Sequence, residues 1–182
     1  MNFLQELETI IKKTDVDFKE QDLLDLLKIE KRWPHRYPWG QASVEILTNT
    51  AALESVLFFN LKGYLNYEEW KKFYDLGFTT IISNVFDLTN QLRSLNKTLT
   101  NKSGLMINGN FYFSKPGQIP SFPYHKHDYD VIVKQIYGEA LWKVENKEFI
   151  LKPKDTCIIP KNTYHQVLSK NENKLSLTIN IQ

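Results

Sequence analysis

Cysteine is almost missing from this chain. Cys157 is the single example in 182 residues, which excludes an internal disulfide. Excess charge is missing too: 23 Lys and Arg face 21 Asp and Glu, and the net charge of +2 is too small to argue for a nucleic acid or a membrane surface. The charges are interspersed, the densest cluster being the short K-x-K of Lys152 and Lys154. No stretch approaches the roughly 18 apolar residues of a spanning helix. The start, MNFLQELETIIKK, carries acids among its apolar residues and lacks a basic opening and a small-residue cleavage site, so it does not read as a signal peptide. Internal repeats and low-complexity linkers are absent. These absences leave one folded unit, expected in the cytoplasm, with 42% hydrophobic and 24% charged residues and no nucleic-acid or membrane partner.

The first part reads mainly helical. Phe3, Leu7 and Ile10 or Ile11 recur at helical spacing, and a second run follows in FKEQDLLDLLKIEKRW, stopped by Pro34. WPHRYPWG (33–40) is loop-like and is a candidate cover for a binding site. TAALESVLF predicts a third helix capped by Thr48 or Asn49. In NYEEWKKFYDLG, Asn66 sits at a capping position, with Glu69 three residues on and Gly77 after the last turn. FTTIISN (78–84) predicts a strand, and Leu88, Leu92, Leu95 and Leu99 mark one face of a helix. From about residue 105, short apolar runs alternate with turn signals, the texture of a sandwich or closed barrel. The expected architecture is mainly β: residues 78–182 form a barrel, and residues 1–77, mainly helical, are integrated against it. Exposed edge strands would favour a homodimer.

Three of the four histidines fall in this second part. His125 and His127 are two apart, so on a strand both rings face the same way. His165 follows after a hairpin and the turn PKNTYH. Two ligands from one strand and one from a distant strand can hold a divalent ion on one side and leave the other side open. An H-x-H pair alone is a weak signal; the third histidine and the surrounding spacing strengthen it. Cys157, in the apolar run TCII, reads as an inert buried thiol. Tyr124, Tyr129, Tyr137 and Tyr164 read as wall or core, His35 as a surface residue, and Trp33, Trp39 and Trp70 as core or interface aromatics.

The spacing resembles the two motifs of the cupin superfamily. His125, His127 and Gly138 match the first, with Val131 where that motif places a glutamate ligand. Lys154, Pro160, Asn162, His165 and Ser169 match the second, with Asn162 at a position normally glycine, tolerable because both residues accept left-handed backbone. Across residues 67–180 the chain also resembles the JmjC-type, ribosomal-oxygenase-like cupins, through GFTTIISNVFDLTNQLRSLNKTL, NFYFSKPG, HKHDYDVIVKQIYGEALWKV and IIPKNTYHQV. His125, Asp130, Val131, Gln135, Gly138 and Trp142 match that family's metal strand; Asn110, Tyr112 and Pro116-Gly117 match the strand and turn before it.

The resemblance implies a double-stranded β-helix and an Fe(II) oxygenase hydroxylating or oxidising a small molecule or peptide side chain. It makes His125, His127 and His165 the metal-binding and catalytic residues, with Asn110, Tyr112 and Gln135 as cofactor-binding candidates. Two departures bear on the cosubstrate. The family's ligand aspartate is His127 here, and the lysine that would hold 2-oxoglutarate falls at Ala140, with Lys134 and Lys143 out of phase with it. The dependence on 2-oxoglutarate therefore stays open. Zn, Mn, Ni or Cu remain alternatives to iron, and a metal-dependent isomerase, epimerase or lyase, or a ligand-binding sensor, remain alternatives to an oxygenase.

Overall fold

The computed structural model describes residues 2–33, 43–48, 50–116, 122–169 and 172–182. Four helices come first: α1 (Phe3–Lys13), α2 (Glu20–Lys28), α3 (Tyr67–Asp75) and α4 (Asn90–Ser103). Nine strands accompany and follow them: β1 (Val44–Leu47), β2 (Thr79–Ile82), β3 (Ile107–Ser114), β4 (Asp130–Tyr137), β5 (Ala140–Val144), β6 (Lys147–Leu151), β7 (Thr156–Ile159), β8 (His165–Ser169) and β9 (Lys174–Ile181). A six-stranded sheet has the order β1-β2-β3-β9-β4-β7, a three-stranded sheet the order β6-β5-β8, and every pairing is antiparallel. The architecture is mainly β with helices against one side, as expected. No helix among the described residues is long and apolar enough to cross a membrane.

Local chemistry explains most of the elements. In α1 the Asn2 carboxamide accepts from the Gln5 N–H while the Gln5 side chain accepts from the Asn2 N–H, a reciprocal cap; Leu7 and Ile11 form the buried stripe. Asn66 and Thr89 cap α3 and α4 through side-chain oxygens. Leu92, Leu95 and Leu99 are buried on α4; Leu88, expected to open that face, follows the short 3-10 turn Val85–Asp87 ahead of the helix and packs against the same core.

Two expectations need correction. The run 18–33 is helical only over Glu20–Lys28, because the stripe of Leu23 and Leu27 meets Glu30 and Lys31 next and has nothing further to bury. TAALESVLF is not a helix: it holds a single 3-10 turn over Ser55–Leu57, with Val56 and Leu57 exposed. The Thr48 hydroxyl, read as a helix cap, instead accepts from the Thr50 and Ala51 N–H groups and donates to the Ala51 carbonyl. That tight turn folds the chain back so that Ala52 bridges Leu47 of β1. Strand β1 itself lacked a sequence signal of its own. Residues 34–40, with His35 and Trp39, together with Asn49 and Gly117, lie outside the described residues.

The main core joins the helices to the outer face of the six-stranded sheet: Leu7, Ile11, Leu23, Trp70, Tyr74, Leu92, Leu95 and Leu99 meet Phe111, Phe113, Ile132, Leu175, Leu177 and Ile179. Lys134 reaches from β4 to the end of α1, donating to the carbonyls of Ile11, Lys12 and Thr14 at 2.9, 3.1 and 2.7 Å. It satisfies the orphan acceptors of a helix C-terminus and is therefore turned away from the barrel interior. A second, smaller cluster of Val131, Val133, Ala140, Trp142, Leu151 and Ile159 lies between the two sheets.

Candidate metal centre

The three histidines come together because the backbone pairs them. His125 N–H donates to the His165 carbonyl at 3.0 Å and His165 N–H to the His125 carbonyl at 2.7 Å, a reciprocal antiparallel bridge that sets the two side chains side by side. His127 is anchored one step further, where its carbonyl accepts from Asn162 N–H at 2.6 Å. Asn162 has φ +63° and Lys154 φ +74°, so both positions that the cupin motif gives to glycine adopt left-handed backbone here. Gly138 (φ +67°) does need glycine: a Cβ there would stand 2.0 Å from the Asn173 carbonyl oxygen.

The ring centroids lie 4.8 Å apart for His125 and His127, 4.4 Å for His125 and His165, and 5.0 Å for His127 and His165. One nitrogen from each ring can be chosen so that all three lie within 4.8 Å of one another. Backbone carbonyls orient two of the rings: His125 Nδ1 lies 2.8 Å from Pro123 O, and His165 Nδ1 lies 2.9 Å from Thr163 O. A carbonyl only accepts, so each Nδ1 carries the proton and each Nε2 keeps a lone pair, the arrangement found behind metal-binding imidazoles. Burial lowers the pKa of all three rings, and for His127, with His125 and His165 adding repulsion, it falls to about 4. Neutral imidazole is the metal-binding form. The donor set fits a divalent transition ion.

Around the triad, Phe122 packs 4.8 Å from His125, Tyr129 stacks on His127, and Trp142 stacks on His165. The rings open into a small cavity of about 40 Å³ whose wall includes Tyr112, Val131, Trp142 and Val167. Val131, where the motif places a glutamate, does face this space and brings only methyl groups.

The other candidates are distributed differently. Tyr112 lines the cavity. Asn110 is on the same face of β3, but its carboxamide oxygen accepts from Asn84 N–H at 3.2 Å. Gln135 is buried behind the cavity wall, donating to Tyr137 O at 2.8 Å and accepting from the Ser176 hydroxyl at 2.7 Å. Ala140 is buried in the inner apolar cluster, and Lys143 is exposed beside Glu148. Asp130 accepts from Lys161 N–H, and Asp128 is exposed. Tyr124 and Tyr164 stack on each other at the surface, while Trp70 is fully buried. Cys157 packs against the inner cluster, where burial first and Glu8 second push its thiol up to about 12.

Sequence reasoning missed the contribution of β9. Lys174, Ser176 and Thr178 all line the cavity. Their signal was the alternation K-L-S-L-T-I-N-I, whose polar face looks like a solvent face until the barrel closes around it.

A family model described as the AraC-like ligand binding domain matches residues 108–179, the stretch from β3 to β9. No curated protein matches the chain. Among solved structures, the chain is similar to the DMSP lyase DddQ from Ruegeria pomeroyi (19% identity, 42% of this chain and 38% of that one, TM-score 0.39). It is also similar to a cupin superfamily protein from Desulfitobacterium hafniense (14% identity, 41% and 66%, TM-score 0.36). A third likeness is to a putative ethanolamine utilization protein Q from Salmonella typhimurium (18% identity, 57% and 69%, TM-score 0.40). The chain thus spans well under half the length of the lyase it matches. The antiparallel two-sheet barrel with its matched β3–β9 stretch is of the cupin type.

Proposed function

We propose that the chain is a mononuclear metal-dependent cupin acting on a small molecule, with His125, His127 and His165 as ligands and oxidation by an Fe(II) centre as its chemistry. The observation that carries this reading is the convergence of three lone-pair-bearing imidazole nitrogens, two of them oriented by backbone carbonyls, at the head of a cavity. The ion would supply a Lewis-acidic, redox-active centre. The protein's own part is to hold three neutral ligands, to keep water scarce with Phe122, Val131, Trp142 and Val167, and to offer donors at Tyr112 and on β9. Residues 78–182 carry every one of these groups, and residues 1–77 brace the sheet behind them. Ala140 leaves β5 without the lysine of the JmjC pattern, so a 2-oxoglutarate site would need its cation from another strand. The match to a ligand-binding family favours a second reading, a sensor that uses the same cavity to hold its ligand.

Elemental analysis of freshly purified protein tests the metal centre: about one divalent ion per chain is expected, falling to background in His125→Ala, His127→Ala and His165→Ala. Equal metal in wild type and all three variants sinks the proposal. Oxygen uptake by the ferrous protein over a panel of small substrates separates oxidation from the isomerase, lyase and sensor alternatives.

A further inference from the structure

The cavity holds a second chemical feature, on β9. Lys174 is only 1% exposed and lines the same space as the histidines. Among the described residues its ammonium has no carboxylate partner and no hydrogen-bond acceptor, whereas Lys134, the other buried lysine, is held by three carbonyls. A buried, unpaired ammonium is among the most unfavourable groups a fold can carry, and one that faces a cavity is relieved by an anion entering it. Burial already lowers its pKa to about 8, so the group is still mainly protonated at neutral pH. One neighbour suits an anion. The Tyr112 hydroxyl has no partner among the described residues, and burial keeps it protonated as a donor. Ser176, opposite Tyr112 in the β3–β9 register, lines the same wall but already donates its hydroxyl to Gln135.

We infer that Lys174 anchors the anionic end of a small carboxylic acid whose other end is presented to the histidine triad. A single ammonium balances a single carboxylate; a phosphate dianion would leave uncompensated charge in the desolvated cavity. The wall between the two ends is apolar at Val131, Trp142 and Val167, which fits a short hydrocarbon spacer. The assignment of the far end rests on the proposed metal centre, while the Lys174 end does not.

The test is an NMR titration that follows the Trp142 indole N–H, an unpartnered group in the cavity wall. Pentanoate, pentanamide and glutarate are each titrated into metal-free and Zn(II)-loaded protein. Wild type should bind pentanoate about tenfold or more tighter than pentanamide, and Lys174→Met should abolish that preference while melting no lower than wild type. Glutarate should exceed pentanoate by a similar factor only when the triad holds Zn(II). An acid preference that is absent in wild type, or undiminished in Lys174→Met, overturns the inference. If the preference behaves as expected but wild type binds no Zn(II), the anion anchor stands and the metal reading fails.

Discussion

On its outer face the six-stranded sheet presents Phe111, Phe113, Leu175, Leu177, Ile179 and Ile181 to the helices; on its inner face β3 and β9 present Tyr112, Lys174, Ser176 and Thr178 to the cavity. The strands are the same, read at alternate residues. The outer face is continuous, apolar and covered by helices. The inner face has a small apolar cluster and a polar wall whose lysine and tyrosine lack hydrogen-bond partners among the described residues. The difference separates stability from function: one face removes hydrocarbon from water, and the other keeps groups unsatisfied until a ligand arrives.

The strongest way to break that comparison is to cut into the outer face. Phe113 is fully buried against Trp70 and Tyr74. Phe113→Ala should lower stability by about 3–5 kcal/mol in denaturant unfolding. Metal content per folded molecule should be unchanged, and its loss would show that the two faces are not separable.

Next in size is the pH dependence of the inner face. The folded-state pKa of Lys174 lies near 8, below its ordinary 10.5, so the unfolded chain binds more protons between those values. The penalty is therefore full below pH 8 and disappears above pH 10.5. Wild type should gain on the order of 3 kcal/mol relative to Lys174→Met as pH rises through that window. A constant difference between the two would mean that the ammonium is already satisfied.

Smaller still is the effect of the triad on the metal-free fold. His125→Ala, in chelated protein, should change stability by no more than about 1 kcal/mol, because its backbone bridge to His165 does not involve the ring. A loss near that of Phe113→Ala would assign the histidines to the core. The subtlest probe is Cys157, at the edge of the inner cluster. Its thiol, pushed up to about 12, should react with a disulfide reagent at pH 8 on the order of 100-fold more slowly than in unfolded protein. Comparable rates would show that the inner cluster is open to solvent.

Much of this was legible from residues alone. The cap at Asn66, the stripes of α1 and α4, and the spacing of His125, His127 and His165 rest on local geometry, which a sequence carries in full. Asn162 was legible for the same reason: a short amide side chain tolerates the left-handed backbone found there. The segment 50–58 was misread because its composition suits a helix, while Thr48 and the pairing of Ala52 with Leu47 draw it into a turn. Strand β1 and the end of α2 depended on which surfaces were available to cover them.

By itself, then, the sequence determined that the second part of the chain is a barrel of short strands and that three histidines meet within it, because strand periodicity and motif spacing are properties of consecutive residues. Only the tertiary structure decided which side of each strand became the interior. The alternation in KLSLTINI is compatible with a polar face in water or a polar face around a ligand, since the pleat sets the two faces without saying what covers either. Closure of β5 and β8 over β9 turned Lys174 inward, and packing of α1 against β4 engaged Lys134 on the opposite side. Two lysines of similar sequence setting thus acquired opposite roles, because the partner that meets each ammonium is set by elements far away in the chain.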